Sequence, residues 1–265
     1  MMNYYCFAPP ESLKQFVRCF WVFESNFESN PYVYRSMADG CVELLFHYKG
    51  IFTDLDNGDA THSTLHAQTK QHRRFIINEQ FGIFGAYLYP FAVPLLFNFP
   101  AHQATDTAYD LPTLLGAEGR ELEEKIITAQ GNGTRKKLLI EFLEKRLLHQ
   151  YSDNNAAFSA IRHVIDAKKI DSVPHLSGMY NMTERTLQRH FKEYAGLSPK
   201  LLHRISRFKT ALNDFGSQHK LLTEIAYECG YYDQSHFISD FKSFSGYHPK
   251  EYFHGRPEGA EWREG

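Results

Sequence analysis

The spacing of apolar residues changes along the chain. Over the first hundred residues they alternate in short runs, the two-residue period of half-buried strands. Residues 41–48 (CVELLFHY) follow an Asp39-Gly40 turn signal. They divide into Val42, Leu44, Phe46 and Tyr48 on one face and Cys41, Glu43, Leu45 and His47 on the other. Residues 81–89 (FGIFGAYLY) predict a second strand, with Gly85 marking a bulge or a close backbone approach. Segments 18–24, 32–36 and 73–77 are further strand candidates, and Pro90, Pro94 and Pro100 punctuate residues 90–100. From Leu111 the period becomes helical, over 113–129 and 134–151, with Gly131-Asn132-Gly133 as a breaker between them. Beyond a polar break at 152–155, helices are expected at 156–168, 172–180, 183–195, 199–214, 222–229, 234–245 and 249–254. The pattern predicts an α+β chain: a β-rich sandwich or barrel over 1–110, a helical connector over 111–155, an all-α region over 156–255, and a flexible tail over 256–265. The connector's stripe through Leu138, Phe142, Leu139 and Leu143 is a packing face or a self-association face, and spacing alone does not separate the two.

The all-α region repeats. Residues 183–202 and 233–252 align at an offset of 50, with Phe191/Phe241, Lys192/Lys242, Gly196/Gly246, Pro199/Pro249 and Lys200/Lys250 identical. Each unit opens on a capping residue, Thr183 or Asp233, and closes on a glycine suited to the left-handed position after a helix. A short helix precedes each, at 173–180 and 222–229. Small Ser177 and Ala226 sit where two helices must approach, and Asn181 and Gly230 occupy the turn. A short helix, a tight turn and a longer helix make a helix-turn-helix, here present twice.

In the first unit, Leu187, Phe191 and Tyr194 form an apolar stripe opposite Arg185, Gln188, Arg189 and Lys192. Arginine matches guanine O6/N7, glutamine matches adenine N6/N7, and lysine suits phosphate. A merely solvated helix face would mix signs, and this stripe carries no acid. The connecting helix 199–214, about 24 Å long, is suited to holding two reading helices roughly one duplex turn apart. The chain's net charge of −2 hides a division into −4 over 1–157, +3 over 158–254 and −1 over the tail. Within it, 183–209 carries +5 whereas 215–254 carries −2, so the first unit is expected to supply most of the electrostatic affinity.

Residues 182–199 (MTERTLQRHFKEYAGLSP) and 222–252, with the core IAYECGYYDQSHFISDFKSFSGYHPKEY, resemble the AraC/XylS family of bacterial transcription regulators. The likeness covers about 100 residues. It implies a sequence-specific DNA-binding regulator in which Arg185, Gln188, Arg189 and Lys192 of the first unit meet DNA. In the second unit the corresponding residues are Gln234, Ser235, Ser239 and Lys242, with His236 beside them. Thr183, Arg204, Arg207 and Lys209 are assigned to the DNA backbone. At Ser239 the family commonly has Arg or Lys, and Asp240 follows it here. The amino-terminal part more loosely resembles the sensor domains of a subgroup, through 39–46, 82–90 and 109–116. That likeness implies a small-molecule or other signal input, although the arginine common in the second of these strands is missing from 85–90 (GAYLYP).

The remaining chemistry is sparse. His47, His62, His66, His72 and His102 show no HxH or HExxH spacing, and no GxSxG, Walker-type or GxGxxG motif occurs, so neither enzyme nor cofactor nor metal is expected. Cys6, Cys19, Cys41 and Cys229 form no CxxC pair, as expected of free thiols in a reducing cytoplasm. Neither a membrane span nor a secretory signal is visible. The expected partners are double-stranded DNA, a small-molecule effector, a second copy of the chain and RNA polymerase. The alternatives are a β-domain enzyme and a helical protein-interaction module without DNA readout.

Overall fold

The computed structural model describes residues 2–26, 31–147, 156–166, 172–215 and 221–254. The expected tail, the polar break at 152–155 and the ends of two expected helices (148–151 and 167–168) lie outside the described residues. Among the described residues, nine strands make two antiparallel sheets: β1 (Met2–Phe7), β2 (Val17–Ser25), β3 (Tyr32–Ser36), β4 (Val42–Lys49), β5 (Thr53–Asp54), β6 (Ser63–His66), β7 (Arg73–Ile77), β8 (Phe81–Leu88) and β9 (Ala108–Asp110). The larger sheet runs β1-β2-β8-β4-β6-β9 and the smaller β3-β7-β5. The alternation of β4 is realised in space. Leu45 joins Trp21, Phe23, Phe52, Phe75 and Ile83 between the sheets, whereas Val42, Leu44 and Phe46 face the helices behind the larger sheet. Gly85 sits where β8 crosses the Trp21 ring, and a Cβ there would lie 2.7 Å from it, so the close approach excludes a side chain.

The helical layer differs from expectation in two places. The stretch expected as one helix over 113–129 is α3 (Leu111–Leu115) and α4 (Ala117–Thr128), separated at Gly116, whose φ of 63° and ψ of −127° no right-handed helix accommodates. The proline-punctuated segment holds α1 (Ala92–Phe97) and α2 (Ala101–Ala104). Pro94 falls in the first turn of α1, where its missing N–H costs no helical bond, and Pro100 stands at the N-cap of α2. In α5 (Asn132–Leu147), Leu139, Phe142, Leu143 and Leu147 are buried in the core shared with the larger sheet. The connector's apolar stripe is therefore engaged in packing within the chain.

Seven helical elements complete the described carboxy-terminal region: α6 (Ala156–Asp166), α7 (Val173–Met179), α8 (Glu184–His190) running into a π-turn (Phe191–Ala195), α9 (Pro199–Phe215), α10 (Leu222–Glu228), α11 (Gln234–Ser245) and α12 (Pro249–His254). Phe158 of α6 bridges the halves, stacked on Phe91 at a centroid distance of 4.8 Å and edge-on to Tyr194 at 5.1 Å.

Candidate nucleic-acid interface

The first unit is assembled by local capping. Ser172 accepts from the His175 amide at 3.2 Å to begin α7, with Pro174 in the first turn. After α7 the chain turns through Asn181 at φ 52°, and the Met182 amide donates to the Ser177 carbonyl at 2.9 Å. Thr183 then caps α8, its hydroxyl accepting from the Thr186 amide at 3.2 Å and donating to the Thr186 hydroxyl at 2.9 Å. Leu187 and Phe191 are fully buried, which fixes the rotation of α8 and leaves Arg185, Gln188, Arg189 and Lys192 exposed together. The expected single helix over 183–195 changes to a π-turn at Phe191 and ends at Gly196, φ 69°.

The second unit repeats this plan. The Leu221 amide donates to the Glu224 carboxylate at 2.9 Å ahead of α10, and Ala226 is fully buried at the helix crossing. Asp233 caps α11 by accepting from the His236 amide at 2.8 Å, a bond that holds its carboxyl below the usual range. Phe237, Phe241 and Phe244 turn inward, where Phe208 of α9 meets Phe241 at 5.2 Å and Phe244 at 5.5 Å. Ser235, His236, Ser239 and Lys242 remain exposed and Gln234 is half-buried.

The two turns are not the same length. The Tyr231 amide donates to the Ala226 carbonyl at 2.9 Å, the bond that Met182 makes to Ser177, so Tyr231 matches Met182 at an offset of 49. The caps Thr183 and Asp233 are 50 apart, so the second turn holds one extra residue. That residue is Tyr232, 86% exposed immediately before the reading helix. The sequence carries its signal, because Ser177/Ala226 and Asn181/Gly230 are also 49 apart.

Three expected DNA-backbone residues are engaged inside the molecule. Arg204 grips Asp240 through Nη2 and Nε, at 2.6 and 3.1 Å from Oδ1, and its guanidinium lies over Phe244. Arg207 stands 4.0 Å from the same carboxylate, donates to the Gly230 carbonyl at 2.9 Å and covers the Tyr231 ring at 4.4 Å. Lys209 is turned away from both units into a cavity of about 330 Å³ against the β-domain, and its buried Nζ has no hydrogen-bond partner among the described residues. Arg204 and Arg207 flank Phe208 on the side of α9 packed against the second unit, whereas Lys209 lies one turn beyond Ile205 on the side facing the β-domain. The acid Asp240, which makes the second unit look electronegative in sequence, is itself only 5% exposed and paired, so it does not oppose a phosphate.

Residues 5–110 match a family model described as a domain of unknown function (DUF6597), and residues 176–255 match one described as a helix-turn-helix domain. The chain is 28% identical over 122 residues to the HTH-type transcriptional activator RhaS of Salmonella arizonae, covering 45% of this chain and 44% of that protein. It is 27% identical over the same length to RhaS of Salmonella schwarzengrund. The chain thus spans less than half the length of the curated relatives it matches. Among solved structures it is similar to ToxT from Vibrio cholerae O395, at 13% identity and a TM-score of 0.46, covering 88% of this chain and 95% of that one. It is also similar to unsaturated fatty acid bound ToxT from Vibrio cholerae strain SCE256, at 13% identity and a TM-score of 0.47, covering 88% and 94%.

Proposed function

We propose that the protein is a sequence-specific DNA-binding transcription regulator of the AraC/XylS type, a reading supported by the helix-turn-helix domain matched over residues 176–255. The observation that carries this reading is the exposed, acid-free stripe Arg185, Gln188, Arg189 and Lys192 on a helix whose opposite face is fully buried. Arg185, Gln188 and Arg189 meet base edges, and Lys192 meets phosphate. The second unit adds Gln234, Ser235, His236, Ser239 and Lys242, a face of short hydrogen-bonding side chains with one cation. Two units joined by α9 then address adjacent segments of the major groove.

The β-domain serves as the input. Its cavity against α9 is lined by Arg18, Arg35, Glu43 and Tyr87 from the β-domain and by Lys209 and Leu212 from α9. An occupant there touches both halves of the molecule, and the buried Lys209 ammonium favours one that carries a hydrogen-bond acceptor. Such a ligand acts only through different affinities for two arrangements of those halves.

The reading is tested by a fluorescence titration of duplex DNA at several salt concentrations. Affinity falls linearly in log–log form, with a slope near −0.9 for each phosphate neutralised. A salt-independent or undetectable affinity would instead support a protein-interaction module.

A further inference from the structure

The two units share one more feature that capping and DNA reading do not use. The turns at their equivalent glycines, Gly196 and Gly246, are both seated on the β-domain. At the first, Thr105 donates to the Gly196 carbonyl at 2.9 Å. Thr105 is itself held by Gln68, which donates to its hydroxyl at 2.9 Å and to the Ala101 carbonyl at 3.1 Å. The fit is tight enough that a Cβ on Gly196 would fall 1.7 Å from the Gln68 amide nitrogen and 2.8 Å from the Ala101 carbonyl.

At the second, two successive carbonyls at the end of α11 accept from the β-domain: the Ala38 amide donates to Phe244 at 3.1 Å, and Arg35 donates to Ser245 at 3.4 Å. His72 packs against the turn itself, where a Cβ on Gly246 would fall 2.5 Å from its Nε2. The final carbonyls of a helix have no partner within it, and a cation there also complements the helix dipole. Arg35 continues over the Tyr247 ring at 3.9 Å. Between the two seats, Gly40 lies against α9, where a Cβ would be 2.6 Å from Leu202. Meanwhile Arg185, Gln188, Arg189, Ser235, His236 and Ser239 stay exposed, so the β-domain holds the reading helices without masking them.

We propose that the β-domain acts as a jig for DNA recognition, with Thr105 and His72 as positioning residues that fix the separation and tilt of the two reading helices. This rests on the DNA-reading assignment above and names how it is regulated: by the spacing of half-sites the protein accepts, not by covering its DNA-contacting face. Arg35 belongs both to the second seat and to the wall of the cavity against α9, so an occupant of that cavity reaches the second reading helix directly.

The test uses the full chain and a duplex site enriched from a random pool, rebuilt with its two halves separated by zero, one or two base pairs more or fewer. Each added pair moves one half about 3.4 Å along the axis and turns it around the duplex. The wild type is expected to prefer one spacing by about tenfold over its neighbours. Thr105→Val and His72→Ala, each loosening one seat, are expected to reduce that preference to less than about threefold. Thr105→Val is expected to leave affinity for a duplex bearing only the first half-site unchanged. Spacing profiles identical to wild type in both variants would overturn the proposal. So would a uniform loss at every spacing, which is what a merely destabilised fold produces. A wild type that enriches no site at all would remove the DNA-reading assignment itself, an outcome distinct from either.

Discussion

Replacing Arg204 with methionine separates a structural role from a DNA-contacting one. Methionine keeps much of the apolar stem and removes the guanidinium, so the carboxylate of Asp240 loses its nearest partner. Asp240 is 7% exposed at its side chain, and Arg204 reaches it at 2.6 Å. Removing one partner of a fully buried pair costs about 3–5 kcal/mol. Exposed pairs are worth about 0–1 kcal/mol. Two observations pull the value between these limits: Arg204 is 39% exposed, and Arg207 remains 4.0 Å from the carboxylate. The expected loss is about 2 kcal/mol, a fall in Tm of roughly 4–8 °C for a chain that melts as one unit. Thermal melts read the first quantity, and the salt dependence of DNA affinity reads the second. Arg204→Met should lower Tm while leaving the log–log salt slope where it was. An unchanged Tm with a slope reduced in magnitude by about 0.9 would instead place Arg204 on a phosphate and leave Asp240 without need of it.

Three further outcomes are expected. Arg189→Ala should cost about 1–3 kcal/mol on an enriched site and relax preference at one base pair, whereas Lys192→Ala should weaken all sequences alike and reduce the salt slope by about 1; competition assays against mismatched duplexes distinguish the two. Gly196→Ala should destabilise the chain by more than Gly131→Ala in urea titration. Both glycines have positive φ, but a Cβ at Gly131 meets open space, and equal costs would deny the seat at Gly196. Burial pushes the Glu43 carboxyl up to about 8, so the folded state holds a proton that the unfolded state releases near pH 4.5. Its contribution is present below that pH and is lost as pH rises towards 8, so Glu43→Gln should flatten the stability profile in that window, and parallel profiles would contradict the assignment. His47 and His66, which burial pushes down to about 4 and about 3, act with the opposite sign, their contribution being lost as pH falls below about 6.5.

The carboxy-terminal half is largely legible in the sequence because its signals are local. Thr183, Asp233, Gly196 and Gly246 mark helix ends by short-range hydrogen bonding and backbone conformation, and the apolar stripe through Leu187 and Phe191 sets the face left to water. Every expected element of that half within the described residues is present. What the sequence hides depends on contacts between distant segments. Nothing in the spacing of Arg204, Arg207 and Lys209 distinguishes a helix face turned to DNA from one turned to Asp240 and the β-domain. The seat at Gly196 requires Thr105 and Gln68, residues 91 and 128 positions away. In the amino-terminal half, β1, β5, β6 and β9 are not among the expected strands. Two are two or three residues long, and Ser63–His66 has too little alternation to stand out. Gly116 lies inside a helical period that gives no hint of a break, although its left-handed φ divides α3 from α4.

Sequence-specific DNA reading is tested by selecting bound duplexes from a random DNA pool with the full chain at one fixed salt concentration. The expected result is enrichment of a composite site of roughly two helical turns, about 20 base pairs, with purine-rich guanine and adenine preferences in the half read by Arg185, Gln188 and Arg189. A pool that remains random after repeated rounds, with retention that does not depend on sequence, would contradict it.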